Sequence, residues 1–244
     1  MGKPSSELDR LKSAFLAIIS HELRTPLTEI LTATSILDGR FVGDLNAEQQ
    51  HYLDVIRRSA EHLNELIRDL LAFSQLEAEV TQILSEPTSL NDLAGAAVDL
   101  YRGRMQDKRI RLLVEPAPGL APIPVDRGKI LRVLSNLISN AVNFTAEGGC
   151  ISVVTERGDG EQIVSVSDTG VGIPKEKQAH IFDSFYQADD PLTREIGGLG
   201  IGLAYARRIV QAHGGRIYIV SAEGEGSKFS VALPDVTEAD SAGS

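Results

Sequence analysis

The 244-residue sequence is poor in cysteine, in basic charge and in long apolar runs, and each shortage excludes a class of protein. A single cysteine, Cys150, cannot form an internal disulfide, and without a signal-peptide pattern we expect a cytoplasmic protein. The net charge of −10 argues against nucleic acid as a partner, because nucleic acid attracts clustered Lys and Arg. No apolar run approaches the roughly 20 residues that span a bilayer, so any membrane anchor of the parent protein would lie outside this chain.

The N-terminal part of the sequence has a helical period. Apolar residues recur at three- and four-residue spacing from Leu8 to Leu37 and from Leu53 to Leu70, with a glycine-containing stretch between them. This pattern predicts an all-α helical hairpin within a domain of residues 1–85. One apolar stripe remains uncovered, and a homodimeric four-helix bundle would cover it. The alternative is a monomeric hairpin that packs on its own C-terminal domain.

The period changes after Ser85–Thr88, where proline and small polar residues indicate a domain boundary. The helical stretches beyond it are 89–107 and 127–144, and the β-like runs are 110–114, 150–156, 162–167, 216–221 and 227–233. Their mixed order predicts an α+β domain at 86–235, with helices covering one face of a sheet. The small and acidic residues 236–244 predict a disordered tail.

The segment FLAIISHELRTPL, residues 15–27, carries the first chemical signal. His21 follows Ile18 of the apolar stripe by three residues, about 300° around a helix, and therefore lies at the edge of the stripe. A neutral imidazole is nucleophilic, and the adjacent Glu22 carboxylate can accept its proton. The segment resembles the H-box of sensor histidine kinases, which implies that Thr25 orients a water for phosphatase activity. The remaining histidines lack such a context: His51, His62, His180 and His213.

Two later segments carry side chains suited to a nucleotide. In LSNLISNAVNF, residues 134–144, Asn136, Asn140 and Asn143 are four and three residues apart and share one helical face, where amide oxygens can bind Mg²⁺. In DTGVGIP, residues 168–174, Asp168 can accept a hydrogen bond from the adenine amino group, which guanine lacks. The glycines of the same segment, Gly170 and Gly172, let the backbone approach the ring.

A glycine-rich segment, GGLGIGL at residues 197–203, frees the backbone to wrap phosphates ahead of a helix N-terminus; its relevant glycines are Gly198, Gly200 and Gly202. In this order the segments resemble the N, G1 and G2 boxes of the ATP-binding domain of histidine kinases, Hsp90, gyrase B and MutL. The resemblance covers residues 86–234 and implies a GHKL (Bergerat) sandwich that binds ATP with Mg²⁺. It implies the metal on Asn140, with Asn136 beside the phosphates, and Phe144 at the adenine. Walker and protein-kinase patterns are absent from the sequence.

The sequence departs from the family at three positions near the phosphates. The family often has lysine at Asn143, arginine at Gln187 and threonine at Leu199. These departures leave phosphate charge less well neutralised. Arg194, in the segment that resembles the ATP lid, is our candidate for the γ-phosphate, and Lys175 or Lys177 are alternatives.

Together the two halves resemble the core of a sensor histidine kinase. The resemblance implies autophosphorylation of His21 and transfer to an aspartate in a response regulator receiver domain, docked near Ala33 and Leu37. Phosphatase activity and an upstream sensor domain outside this chain are also expected. Two alternatives remain, a kinase-dead phosphatase or phosphotransfer scaffold and a gyrase- or MutL-like ATPase clamp. The H-box, and the lack of a transducer domain, disfavour the clamp.

Overall fold

The computed structural model describes residues 23, 25–37, 43–57, 59–60, 63–64, 67, 82–184, 186 and 200–235. The chain divides into two compact units, and the main boundary between them falls between Glu77 and Ala78. The sequence predicts this boundary at 85/86, and that position stays a prediction. Across the described ranges, no helix combines the length and the apolar character needed to cross a bilayer.

The first unit is a helical hairpin. Its helices are α1, residues 25–37, and α2, residues 47–57, and the described residues from 59 to 67 are also helical. A capping box starts α2, since the Asn46 side chain accepts from the Gln49 N–H at 2.8 Å and the Gln49 side chain accepts from the Asn46 N–H at 2.9 Å. Leu27, Ala60 and Ile67 form the buried contact within the hairpin. The structure confirms the predicted helical hairpin.

The second unit is built on a five-stranded sheet. Its strands are β2 (Arg111–Glu115), β4 (Cys150–Arg157), β5 (Glu161–Asp168), β6 (Arg216–Ala222) and β7 (Gly226–Pro234), in the spatial order β2-β4-β5-β7-β6. β2 pairs with β4 in parallel and the other pairs are antiparallel. A separate antiparallel pair joins β1 (Glu86–Thr88) to β3 (Ile123–Val125). The helices are α3 (Leu90–Asp99), α4 (Arg102–Asp107), α5 (Arg127–Phe144), α6 (Lys175–Gln178) and α7 (Gly202–Ala212).

The core of this unit lies between the sheet and its helices. Burial alternates along β4, where Ile151, Val153 and Thr155 are buried and the two residues between them are half-exposed, as expected when one face of a sheet is covered. α5 packs on β5 and contacts α3 on one side and α7 on the other. Seven apolar side chains of α5 are buried: Ile130, Val133, Leu134, Leu137, Ile138, Ala141 and Val142. The predicted α+β sandwich is therefore confirmed.

One local prediction was wrong, and one pair of strands was not predicted. The helix expected over 89–107 is two helices, because Tyr101 leaves the helical region with φ −114° and ψ 1°. No proline or glycine lies at 100–101, so periodicity gave no signal of the break. The β1–β3 pair was also missed, since three-residue strands that contain proline have too short an alternation to detect.

Candidate functional site

α5 presents the three asparagines. The Asp126 side chain caps its first turn by accepting from the Lys129 N–H at 3.1 Å. The buried stripe of α5 faces the sheet, and Asn136, Asn140 and Asn143 lie half-buried beside it. The helical period thus fixes all three amides on one side of a rigid, well-anchored element.

The first residue of α7 meets this face. The Asn136 Nδ2 donates to the Gly202 carbonyl at 3.1 Å, which ties the first residue of α7 to α5. Gly200, two residues earlier, has φ +68°, a conformation that favours glycine. Beyond the tied residue, the N-terminal amides of α7 offer the donors that bind phosphate oxygens in many proteins.

Asp168 ends β5 and begins the G1 loop. Its Oδ1 accepts from the Gly170 N–H at 2.8 Å. Burial raises the pKa of the Asp168 carboxyl, and backbone hydrogen bonds from Gly170 and Ser227 oppose the rise. A donor that reaches the second carboxyl oxygen would favour the ionised form.

The G1 glycines let backbone segments approach closely. A Cβ on Gly170 would lie 2.5 Å from the carbonyl oxygen of Phe144, the last residue of α5. Gly172 has φ +67°, and a Cβ there would overlap the carbonyl oxygen of Ala222. A side chain at Gly170 would push the G1 loop away from α5, and one at Gly172 would push it away from the end of β6. Gly170 thus holds Asp168 and Phe144 at neighbouring positions.

The structure therefore brings together most of the described residues predicted for the nucleotide: Asn136 with Gly202, and Asp168 and Gly170 with Phe144. Lys175 and Lys177 lie on α6. Phe182 packs its ring edge-on against Phe229, with 6.4 Å between the ring centroids. Predictions that lie outside the described residues concern Gln187, Arg194, Gly198 and Leu199.

Of the three residues predicted for phosphotransfer, the structure describes only Thr25. It lies in α1 with an exposed side chain, and Leu27, two residues on, is buried in the hairpin. His21 and Glu22 lie outside the described residues. Their roles stay predictions.

Sequence reasoning missed two cations beside Asn143. The Lys108 Nζ donates to three carbonyl oxygens at the end of α5, those of Val142, Asn143 and Thr145, at 2.7, 3.2 and 2.9 Å. Arg104 Nη2 donates to Asn143 Oδ1 at 2.7 Å. Arg104 and Lys108 precede these partners by 34 to 39 residues, so the sequence gives no signal of the contacts.

Comparisons with known proteins agree with both units. A family model described as "His Kinase A (phospho-acceptor) domain" matches residues 11–79, and one described as "Histidine kinase-, DNA gyrase B-, and HSP90-like ATPase" matches residues 125–237. The circadian input-output histidine kinase CikA of Synechococcus elongatus is 39% identical over 93% of this chain and 30% of its own length. The sensor histidine kinase GacS of Pseudomonas protegens is 36% identical over 95% of this chain and 25% of its own length.

Solved structures give the same result. Full-length ShkA in complex with AMPPNP aligns with a TM-score of 0.70 and 32% identity, over 91% of this chain and 45% of that one. The catalytic domain of histidine kinase ThkA aligns with a TM-score of 0.56 and 29% identity, over 63% of this chain and 99% of that one. The chain spans less than half of the length of the curated relatives named here. On the two family models and these relatives, the chain belongs to the sensor histidine kinases of two-component systems.

Proposed function

We propose that this chain is an ATP-dependent autokinase that phosphorylates His21 and passes the phosphoryl group to an aspartate of a response regulator receiver domain. The observation that carries the nucleotide half is the convergence of α5, the G1 loop and the start of α7, through the Asn136–Gly202 hydrogen bond and the contact between Gly170 and Phe144. The phospho-acceptor half is carried by the match to the His Kinase A family.

Within this site the residues contact different parts of the nucleotide. The Asp168 carboxylate accepts from the adenine amino group, in addition to the hydrogen bonds that it receives from the Gly170 and Ser227 N–H groups. Phe144 lies next to Gly170 and supplies apolar contact to the base. Gly198, Gly200 and Gly202 let the backbone wrap the phosphates, and Arg194 contacts the γ-phosphate.

The oxygen donors on α5 fit Mg²⁺. Because Asn136 uses its Nδ2 to hold Gly202, its Oδ1 remains an available ligand, and Asn140 lies one turn further on the same face. When bound, the metal would neutralise charge on the phosphates.

The transfer step is balanced by groups of this chain. A ring nitrogen of neutral His21 attacks the γ-phosphorus, and the N–P bond forms as the bond from that phosphorus to the β–γ bridging oxygen breaks. ADP leaves with the electron pair, and Glu22 takes the ring proton. Thr25, exposed on α1, would orient a water for the opposing activity, in which water hydrolyses the phosphorylated aspartate of the regulator.

We also propose a homodimer built on the hairpin. Outside the contact of Leu27, Ala60 and Ile67, the helices expose large apolar side chains, a surface typical of an interface. They are Leu23, Ile30, Ile36, Leu37, Val55, Ile56 and Leu63. A regulator would dock on the bundle near Ala33 and Leu37, both exposed.

Autophosphorylation tests the proposal. With γ-labelled ATP and Mg²⁺ the chain is expected to acquire an acid-labile, alkali-stable phosphate, and His21→Gln is expected to abolish it. His51→Gln, on the hairpin but outside the H-box, is the matched control and is expected to keep the label. Label that persists in His21→Gln would refute the acceptor, and an unlabelled parent that still dephosphorylates a regulator would favour the phosphatase or scaffold.

A further inference from the structure

An exposed arginine lies beside the asparagine face of α5. Arg104, on α4, donates from Nη2 to Asn143 Oδ1 at 2.7 Å, and the two residues are 39 positions apart in the chain. The Arg104 side chain is exposed, whereas Asn143 is half-buried. The hydrogen bond therefore holds a guanidinium on the solvent side of the face that carries Asn136 and Asn140.

This cation keeps its charge uncompensated by any carboxylate of the described residues. The Arg104 guanidinium carbon also lies 5.9 Å from the centroid of the Tyr101 ring, and this ring carries no charge. Arg102, on the same helix, differs because it forms an ion pair with Asp99 at 2.9 Å. A guanidinium has five N–H donors, so one bond to a neutral amide orients Arg104 without using up its charge or most of its donors.

The neighbouring cation has a different task. The Lys108 ammonium donates to three carbonyl oxygens at the end of α5 and is committed there. Burial lowers the Lys108 pKa, and the nearby Arg104 charge lowers it further, which places the two cations close together. Arg104 is thus the member of the pair that remains available to an anion.

We propose that Arg104 binds the phosphate chain of the nucleotide, with Asn143 as the residue that positions it. The inference rests on the proposed ATP site and adds a phosphate ligand to it. A chain with net charge −10 needs local cations to hold a triphosphate, and a guanidinium can bind phosphate with two parallel hydrogen bonds. An orienting bond from a rigid helix reduces the side-chain entropy lost when phosphate binds.

Nucleotide affinities of the full chain test the role. Arg104→Ala is expected to weaken ATP binding about tenfold, which corresponds to about 1.4 kcal/mol of binding free energy. This loss is close to the smallest contribution that a hydrogen bond to a charged group usually makes. Adenosine, which has no phosphate, is expected to bind equally to parent and variant. Arg104→Lys keeps the charge and is expected to recover part of the loss. Arg102→Ala, on the same exposed helix, is the matched control and is expected to bind ATP like the parent.

The outcomes separate this inference from the function it rests on. A parent that binds neither ATP nor adenosine would overturn both. A parent that binds ATP while Arg104→Ala binds it equally well would overturn the role of Arg104 alone. Equal losses for ATP and adenosine in Arg104→Ala would assign the residue to support of α5, and thermal unfolding of the ligand-free variants would then show a matching loss of stability.

Discussion

At Asp168 a single carboxylate combines structural and recognition tasks. One oxygen holds the Gly170 N–H at 2.8 Å and thereby fixes the G1 loop, while burial raises the carboxyl pKa. The carboxylate also accepts from the Ser227 N–H, and its two oxygens, with about four acceptor sites between them, leave room for a further donor at the end of a central strand. The position thus favours a ligand that brings a donor, and adenine brings one through its amino group.

Asp168→Asn is expected to weaken ATP binding by about 1.5–3 kcal/mol, the usual range for losing a charge-assisted hydrogen bond. The Asn oxygen can still accept from Gly170, so the loop is expected to keep its position. Isothermal titration of ATP and GTP measures the effect. Asp159→Asn, an exposed carboxylate at the other end of β5, is the control. Equal affinities of the parent for ATP and GTP would contradict the adenine role.

For individual residues, the sequence predicted the relations that follow from the period of a single helix. Asn136, Asn140 and Asn143 share a face because the helical period requires it, and the structure confirms that geometry. Arg104 and Lys108 reach the same helix from a distant segment, so no period links them to α5. Such contacts depend on tertiary packing and appear only in three dimensions.

Among the elements, the start of α5 and the end of α7 are joined through His213. The His213 Nδ1 lies 2.8 Å from the Ile209 carbonyl, to which it donates, so Nε2 accepts from the Asp126 N–H at 3.0 Å. The Asp126 carboxylate also accepts from the Lys129 Nζ at 2.6 Å and from the Leu84 N–H at 3.2 Å. One histidine thus ties α7 to the cap of α5 and, through that cap, to the segment before β1.

This arrangement makes the stability of the α/β unit depend on pH. Burial lowers the His213 pKa; the Ile209 carbonyl and the Asp126 charge oppose this, and the Lys129 charge adds to it. The unfolded state therefore binds a proton more readily than the folded state. Stability from this group is complete above the unfolded pKa near 6.5 and is lost as pH falls below it.

At pH values below 6.5, this histidine is expected to lower the parent's free energy of unfolding by at most about 1.4 kcal/mol per pH unit. His213→Gln is expected to lose this pH dependence. Urea unfolding followed by circular dichroism at pH 5 to 7.5 measures it. His51→Gln, an exposed histidine of the hairpin, is the control for a general effect of removing imidazole. A slope that survives in His213→Gln would assign the dependence to other groups.

For the whole molecule, the fold class was predictable because both units follow simple patterns. Long apolar periods specify the hairpin, and alternating runs with glycine boxes specify the sandwich. Strand order was not predictable, since β5 pairs with β7 across α6, the G2 segment and α7. The local sequence of a strand does not indicate which distant strand pairs with it.

The apolar surface of the hairpin predicts the state of assembly. The parent is expected to sediment as a dimer of two 26.3 kDa chains, and Ile56→Glu, at a side chain 48% exposed in the single chain, is expected to shift it toward monomer. Glu48→Gln, at an exposed polar position of α2, is the matched control. Sedimentation velocity over a range of concentrations measures both. A monomeric parent would favour the hairpin packed on its own second domain.

The position of β7 also has a consequence for biosynthesis. β7 is the last strand of the sheet in the chain, yet it lies between β5 and β6 and supplies the partner of both. The hairpin precedes the sandwich in the chain and its contacts are local, so it can fold while the ribosome is still making the sandwich. The sheet that supports Asp168 cannot close until residue 234 has left the exit tunnel. The proposed pairing of two hairpins therefore does not depend on completion of the sheet, whereas the proposed nucleotide site does.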